Sequence, residues 1–298
     1  MKTTQATVYR SLQYQLGNME NRLLDLRMSA ATGKRINKPS DDPSAIRPVL
    51  NARSQIQQGD RYLRTIGTAT DRLQMQDSYL DQVTNLLTRA QEVTIASGNG
   101  AMGPTDRATY AEDMGNIREE LYALANANID GKYIFAGFAE DTEPFPDSAD
   151  PTNYQGDSGQ IQLEIAPGEK VRTNLTGEQL FQGVGIPGGI NLFALLDQVE
   201  ADLNANDPTT ALSRLDDLKG ASEQVSRQRS KMGNIAQRVD NAKLHREDVQ
   251  IDMKEVLSRY EDADLIETIT ALNQQEQAFE AALSVTAKVS NLSILDYL

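Results

Sequence analysis

The sequence predicts a mainly α protein with a β-rich insert: a long antiparallel helical rod, coiled-coil segments at both ends, and a small central β domain. Three observations carry this. Apolar residues recur at helical spacing through most of the 298 residues. Nine of the 20 glycines and five of the 10 prolines fall between Gly137 and Gly189, where regular helix cannot persist. Hydrophobic residues make up 39% and aromatics only 5%, with a mean hydropathy of -0.50, which suits narrow helix-to-helix seams better than one broad core.

Residues 1–44 read as an N-terminal coiled-coil helix and the turn after it. Val8, Leu12, Leu16, Met19, Leu23 and Leu26 stand 4, 4, 3, 4 and 3 residues apart, a single apolar stripe on an otherwise polar segment. The turn, ATGKRINKPSDDPSAI at 31–46, contains Gly33, Pro39, Pro43, three cations and two adjacent aspartates, more chemistry than a connector needs. Asp41 or Asp42 is placed to cap the following helix. If Ser44 is the cap instead, Pro48 falls in the first helical turn, where its missing N–H is tolerated.

Residues 45–132 read as the first hairpin of the rod. Val49, Ile56, Leu63, Ile66, Leu73, Leu80, Val83 and Leu87 keep near-heptad spacing to about Ala96, and SGNGAMGP at 97–104 turns the chain. Thr105 or Asp106 can cap the next helix, on which Tyr110, Met114, Ile117, Leu121 and Leu124 return. Residues 133–190 read as a β-rich surface domain. There Ile161, Leu163 and Ile165 alternate with Gln162 and Glu164, Val171 belongs to a neighbouring strand, and YQGDSGQ at 154–160 is the expected hairpin turn. Helix gives way after Gly131 and resumes near Leu192, so the insert is expected to be separable from the rod. Residues 191–260 supply the returning helices, with a turn at Asp207 and Pro208. Residues 261–298 form a C-terminal coiled-coil helix starting at Asp264, striped by Leu265, Ile269, Leu272, Phe279, Leu283 and Leu292.

Composition narrows the function. A formal net charge of -14 leaves no basic footprint for nucleic acid. With no cysteine, no tryptophan and one histidine, neither a disulfide, a thiol nucleophile nor a histidine-rich metal site is expected, and no cofactor is called for. The start, MKTTQATVYRSLQYQLGNMENR, lacks the apolar run of a secretory signal, and no stretch of 18 apolar residues suggests a membrane span. The Gly33-Lys34-Arg35 fragment is not a phosphate loop, since Met28 and Arg35 stand where glycine and Ser or Thr belong. NANIDG at 126–131 is not a calcium loop, since Gly137 stands where a bidentate glutamate belongs; a helix end at Gly131 is the plainer reading. His245 reads as a surface residue. The acidic pairs Asp41 and Asp42, Asp216 and Asp217, and Glu261 and Asp262 read as caps and solvated helix surface, so no enzyme is expected.

The turn at 31–46 closely resembles the (S/A)TGKRIN-x-(P/A)-SDDP signature of the bacterial flagellin superfamily. NANIDGKYIFAGF (126–138) and RQRSKMGNIAQRVD (227–240) are similar to two further blocks of that superfamily. YQGDSGQIQLEIAPGEKVRTNLTGEQLF (154–181) and the ending NLSILDYL resemble its hook-associated protein 3 group. The resemblance implies a structural protein of the bacterial flagellum, exported unfolded through the flagellar type III apparatus with the help of an export chaperone. It implies a homo-oligomeric ring at the hook–filament junction, between the hook-side junction protein (hook-associated protein 1) and flagellin, and hence a part in motility. In that family the terminal helices pair into an inner coiled-coil layer. The stripes Val8, Leu12, Leu16, Met19, Leu23, Leu26, Leu265, Ile269, Leu272, Phe279, Leu283 and Leu292 would then be the assembly interface. Arg35, Asp41 and Asp42 would hold the turn and set the register between subunits. Two other readings stay open: a small flagellin that builds the filament itself, and a secreted coiled-coil adhesin or effector that binds through residues 139–190.

Overall fold

The computed structural model describes residues 5–147, 150 and 153–295, with side chains for 7–147, 150 and 153–288. Along them run α1 (Gln5–Thr32), α2 (Ile46–Ser97), α3 (Pro104–Ala125), β1 (Asn128–Ile129), β2 (Lys132–Tyr133), β3 (Gln162–Ala166), β4 (Glu169–Arg172), α4 (Gly177–Phe181), α5 (Leu192–Asn204), α6 (Pro208–Ser213), α7 (Leu215–Glu261) and α8 (Leu265–Leu295). The protein is mainly α, with two small antiparallel sheets, as the sequence predicts. It divides into two compact units: Met1–Gly59 with Asp248–Leu298, and Asp60–Glu247. Helices α2 and α7 contribute residues to both.

Local chemistry sets the helix limits in Asp60–Glu247. Pro104 opens α3, and the Asp106 carboxylate accepts from the Gly103 N–H at 3.1 Å, so Asp106 fastens the helix start from its third position and is not the cap itself. Asn191 caps α5 by accepting from the Ala194 N–H at 3.1 Å. Asp207 caps α6 by accepting from the Thr210 N–H at 3.1 Å and its hydroxyl at 2.6 Å, with Pro208 next in line.

Helices α2 and α7 run antiparallel. The Gln91 amide donates to Ser222 Oγ at 2.8 Å, and further back along α2 Asp77 and Asp81 each lie 2.7 Å from the Arg229 guanidinium. The stripe Ile66, Leu73, Leu80, Val83 and Leu87 joins Met114, Ile117 and Leu121 of α3, Leu192, Phe193 and Leu196 of α5, and Leu218 and Val225 of α7 in one core.

The segment expected as a separable β domain belongs to that same core. Helix α3 ends at Ala125, six residues before the expected end at Gly131, and the chain turns at once into the β1–β2 hairpin. Asp130 (φ 51°) and Gly131 (φ 81°) occupy its two-residue turn, both in the left-handed region that an Asp-Gly turn of this kind demands. Strands β3 and β4 pair as foreseen, Leu163 opposite Val171, but their turn lies at Pro167 and Gly168 and not at YQGDSGQ. That stretch instead wraps the 135–138 backbone: Asp157 Oδ1 accepts from the Phe138 and Gly159 N–H groups, both at 2.7 Å, and the Tyr154 hydroxyl donates to the Phe135 carbonyl at 2.7 Å. Burial pushes the Tyr154 phenol well above its ordinary pKa. Gly137, at φ 76°, leaves no room for a side chain, since a Cβ there would lie 2.1 Å from Asp157 Oδ1.

Phe135, Phe145 and Phe181 are fully buried and meet Tyr79 of α2 and Phe193 of α5, with ring centroids 5.3 to 6.3 Å apart. Ile165 and Val171 join the same cluster. The buried Gln224 amide of α7 donates to the Leu180 and Ile190 carbonyls, both at 3.0 Å, and accepts from the Ile190 N–H at 2.9 Å. A two-stranded sheet cannot cover its own apolar face, so the insert leans on the helices for its interior.

Candidate assembly interface

The end helices α1 and α8 pack on each other within their unit. They run antiparallel, since Gln275 donates to the Met19 carbonyl at 3.2 Å while Gly33, after α1, bonds to Ala263, before α8. The pairing consumes only part of each stripe. Leu23 is buried, and Leu12, Leu16, Met19, Leu26, Leu272 and Phe279 are half-buried. Val8, Leu265, Ile269 and Leu283 keep between 42% and 49% of their surface exposed. The Leu292 side chain lies outside the described residues. Tyr14, Leu24, Val285 and Ile266, the last at 82%, add further exposed apolar surface. Single exposed side chains are ordinary; here several large apolar ones lie on one helix pair.

The turn between α1 and α2 is closed from within. Gly33 (φ 69°) ends α1, and its N–H donates to the Ser29 carbonyl at 2.9 Å. Asp41 accepts from the Asn37 and Lys38 N–H groups at 2.9 and 2.7 Å. Asp42 Oδ1 accepts from the Ser44 hydroxyl at 2.6 Å and from the Ser44 and Ala45 N–H groups, both at 3.2 Å, which prepares the start of α2 at Ile46. Pro48 therefore lies in the first turn of α2, where no N–H is missed. Backbone N–H bonds from Lys38 and Asn37 hold the Asp41 carboxyl below its ordinary pKa; the Ser44 hydroxyl does the same for Asp42. Arg35 reaches Asp42 at 3.3 Å and donates to the Tyr260 carbonyl at 3.0 Å. Arg35, Asp41 and Asp42 thus spend their hydrogen bonds holding the turn of their own chain.

The second helix break, at 262–264, closes against the first. Lys34 and Asp262 form an isolated antiparallel bridge, in which the Arg35 N–H donates to the Glu261 carbonyl at 2.6 Å and the Ala263 N–H to the Gly33 carbonyl at 2.9 Å. Asp264 then starts α8 by accepting from the Ile266 and Glu267 N–H groups at 2.9 and 3.1 Å. Glu261 corrects the sequence reading. It is 1% exposed, not solvated surface, with Lys34 Nζ 2.9 Å from Oε2 and Arg53 paired to Oε1. No local pattern announces this, because both cations lie more than 200 residues away in sequence. His245, Asp216 and Asp217 are exposed, as expected. Among the described residues, no cluster of His, Cys, Asp or Glu is arranged to hold a metal, and no helix is long and apolar enough to cross a membrane.

Residues 4–140 match the family model for the bacterial flagellin N-terminal helical region, and residues 215–298 match that for the bacterial flagellin C-terminal helical region. The flagellar hook-associated protein 3 of Escherichia coli (strain K12) is 28% identical over 89% of each chain. That of Salmonella typhimurium is 26% identical over 99% of this chain and 98% of its own. Among solved structures, a putative flagellar hook-associated protein from Vibrio parahaemolyticus shares the fold with a TM-score of 0.65 at 20% identity, over 74% of this chain and 100% of that one.

Proposed function

The chain belongs to the bacterial flagellin superfamily, and from that premise we propose that it is a hook-associated protein 3, a structural subunit of the ring that joins hook to filament. The observation that carries this reading is the extent of the likeness: it runs through both end helices and the whole middle of the chain, over 99% of its length. Neighbouring copies meet through the α1–α8 pairs. Val8, Leu265, Ile269 and Leu283 contact the next copy, while Leu12, Leu16, Met19, Leu23, Leu26, Leu272 and Phe279 hold the pair together; Leu292 extends the same stripe. Fully burying a leucine or isoleucine is worth about 1.5–3 kcal/mol, so covering the exposed half of each yields roughly 1 kcal/mol per side chain. Repeated around a ring, these small gains favour the assembled state. The hook-side junction protein and flagellin meet the two faces of the ring. Before assembly the chain is a client of the flagellar export chaperone and type III apparatus, a route suited to a chain with no disulfide to break. The role is structural: no catalytic step and no cofactor enters it.

Gold labelling of the protein on intact flagella tests the reading. A single short band at the boundary of hook and filament is the expected result. Label along the whole filament would replace it with the flagellin reading, and label away from the flagellum would overturn both.

A further inference from the structure

We propose that Glu261 is the positioning residue of this interface: clamped between Arg53 of α2 and Lys34 of the turn, it fixes the α1–α8 pair in the one register that neighbouring copies accept. The inference rests on the proposed function for its consequence and on geometry for its substance. Two paired helices with apolar stripes can slip by a turn or a heptad at little cost, because one leucine replaces another across the seam. The part-buried contact across the pair, from Gln275 to the Met19 carbonyl, is made to a backbone group that recurs at every turn of α1, so it holds the helices together without fixing their register. Arg27–Glu276 and Lys38–Asp25 lie on the exposed surface, where such pairs hold little.

Register must therefore be set where α1 gives way to α2 and α7 to α8. Two backbone hydrogen bonds join those breaks, and Glu261 takes part in one through its own carbonyl while its carboxylate receives cations from two other segments. A buried carboxylate is costly unless it is paired, so any arrangement that withdraws Arg53 or Lys34 is strongly disfavoured. A hydrophobic residue at 261 would bury as well and discriminate less. The signature turn is, on this account, a latch within one chain whose catch is Glu261 on the returning helix.

Two variants separate positioning from plain stability. In Glu261→Gln the buried charge is lost, and Arg53 and Lys34, both nearly half exposed, are free to turn to solvent and leave the latch. The Arg35 and Ala263 amides should then exchange with solvent roughly a hundredfold faster, while melting of Asp60–Glu247 is unchanged. Filament attachment should fall about tenfold or more. In Glu261→Met combined with Arg53→Leu the buried pair is replaced by apolar contact, which restores the melting of the end unit. Attachment should nevertheless stay low, because nothing then selects the register. If Glu261→Gln leaves both amides and attachment as in the parent chain, or if the apolar pair regains attachment together with stability, Glu261 is structural only and the proposal falls. The exchange arm uses the isolated chain, so it is decided independently of where the protein sits on the flagellum.

Discussion

In Asp60–Glu247 the rings of Phe135, Phe145, Phe181 and Phe193 are fully buried, whereas in the unit formed by Met1–Gly59 and Asp248–Leu298 the side chains of Leu265, Ile269 and Leu283 keep nearly half their surface in water. Both regions are built from helices with similar apolar stripes. The difference lies in what covers them. The α2 and α7 stripes are roofed by α3, α5 and the β segment, while α1 and α8 have chiefly each other. Among the described apolar residues of the end unit, only Leu23, Ile36, Ala45, Val49 and Ala52 are fully buried. A stripe that ends in a core and a stripe left half-exposed look alike residue by residue. Only the supply of covering surface tells them apart.

The largest test of this contrast removes the roof. Replacing residues 139–188 with a flexible linker deletes Phe145, Ile165, Val171, Leu175, Leu180 and Phe181 from the shared core and strips Phe193 of Phe145 and Phe181, and Phe135 of Phe181. The Asp60–Glu247 unit should then lose its cooperative melting transition in calorimetry. A sharp transition near that of the parent would show that the helices hold a core without the insert. A milder form is Phe181→Ala, which should cost about 3–5 kcal/mol. For a unit of this size that lowers its melting temperature by on the order of 10 °C.

The opposite behaviour is expected at the ends. Leu265→Asp or Leu283→Asp places a charge where water already reaches, so melting of the isolated chain should change by no more than about 0.5 kcal/mol. Attachment of filaments, scored by microscopy or swimming, should fail, because assembly excludes water from the new charge. Collapse of the monomer's helical signal in these variants would move the stripe from interface to core.

The smallest effect concerns the turn. The Asp41 and Asp42 carboxyls sit below their ordinary value of 3.8, so their folded-state bonds favour the charged form. Their contribution is complete above that value and is lost as pH falls through the lowered folded values. Amide exchange at Asn37, Lys38 and Ala45, corrected for intrinsic rate, should be flat from neutral pH to about 5 and speed up only below pH 3.8. Early loosening between pH 5 and 7 would mean that other groups hold the turn.

Much of this was legible because helix boundaries are written locally. Asp207 before Pro208, Asp264 before α8, and the glycines of 97–104 act within three or four residues of themselves, and the structure places the helix ends where they stand. The alternation of Ile161, Leu163 and Ile165 likewise gave strand β3. The Asp-Gly pair at 130–131 is equally local but ambiguous: glycine there suits a helix end, whereas the two consecutive positive-φ residues of the structure make it a hairpin turn. What stayed hidden was long-range. Asp157 folding back on the 137–138 backbone, the aromatic cluster that joins the insert to α5, and the burial of Glu261 all depend on partners that no periodicity connects.

Hydrogen exchange, compared between the isolated chain and the assembled junction, tests the central contrast most directly. The account predicts that amides of α1 and α8 gain protection on assembly while those in the core of Asp60–Glu247 are already protected and barely change. Equal protection of α1 and α8 before and after assembly, with the gain falling on α3, α5 or the β strands instead, would contradict it.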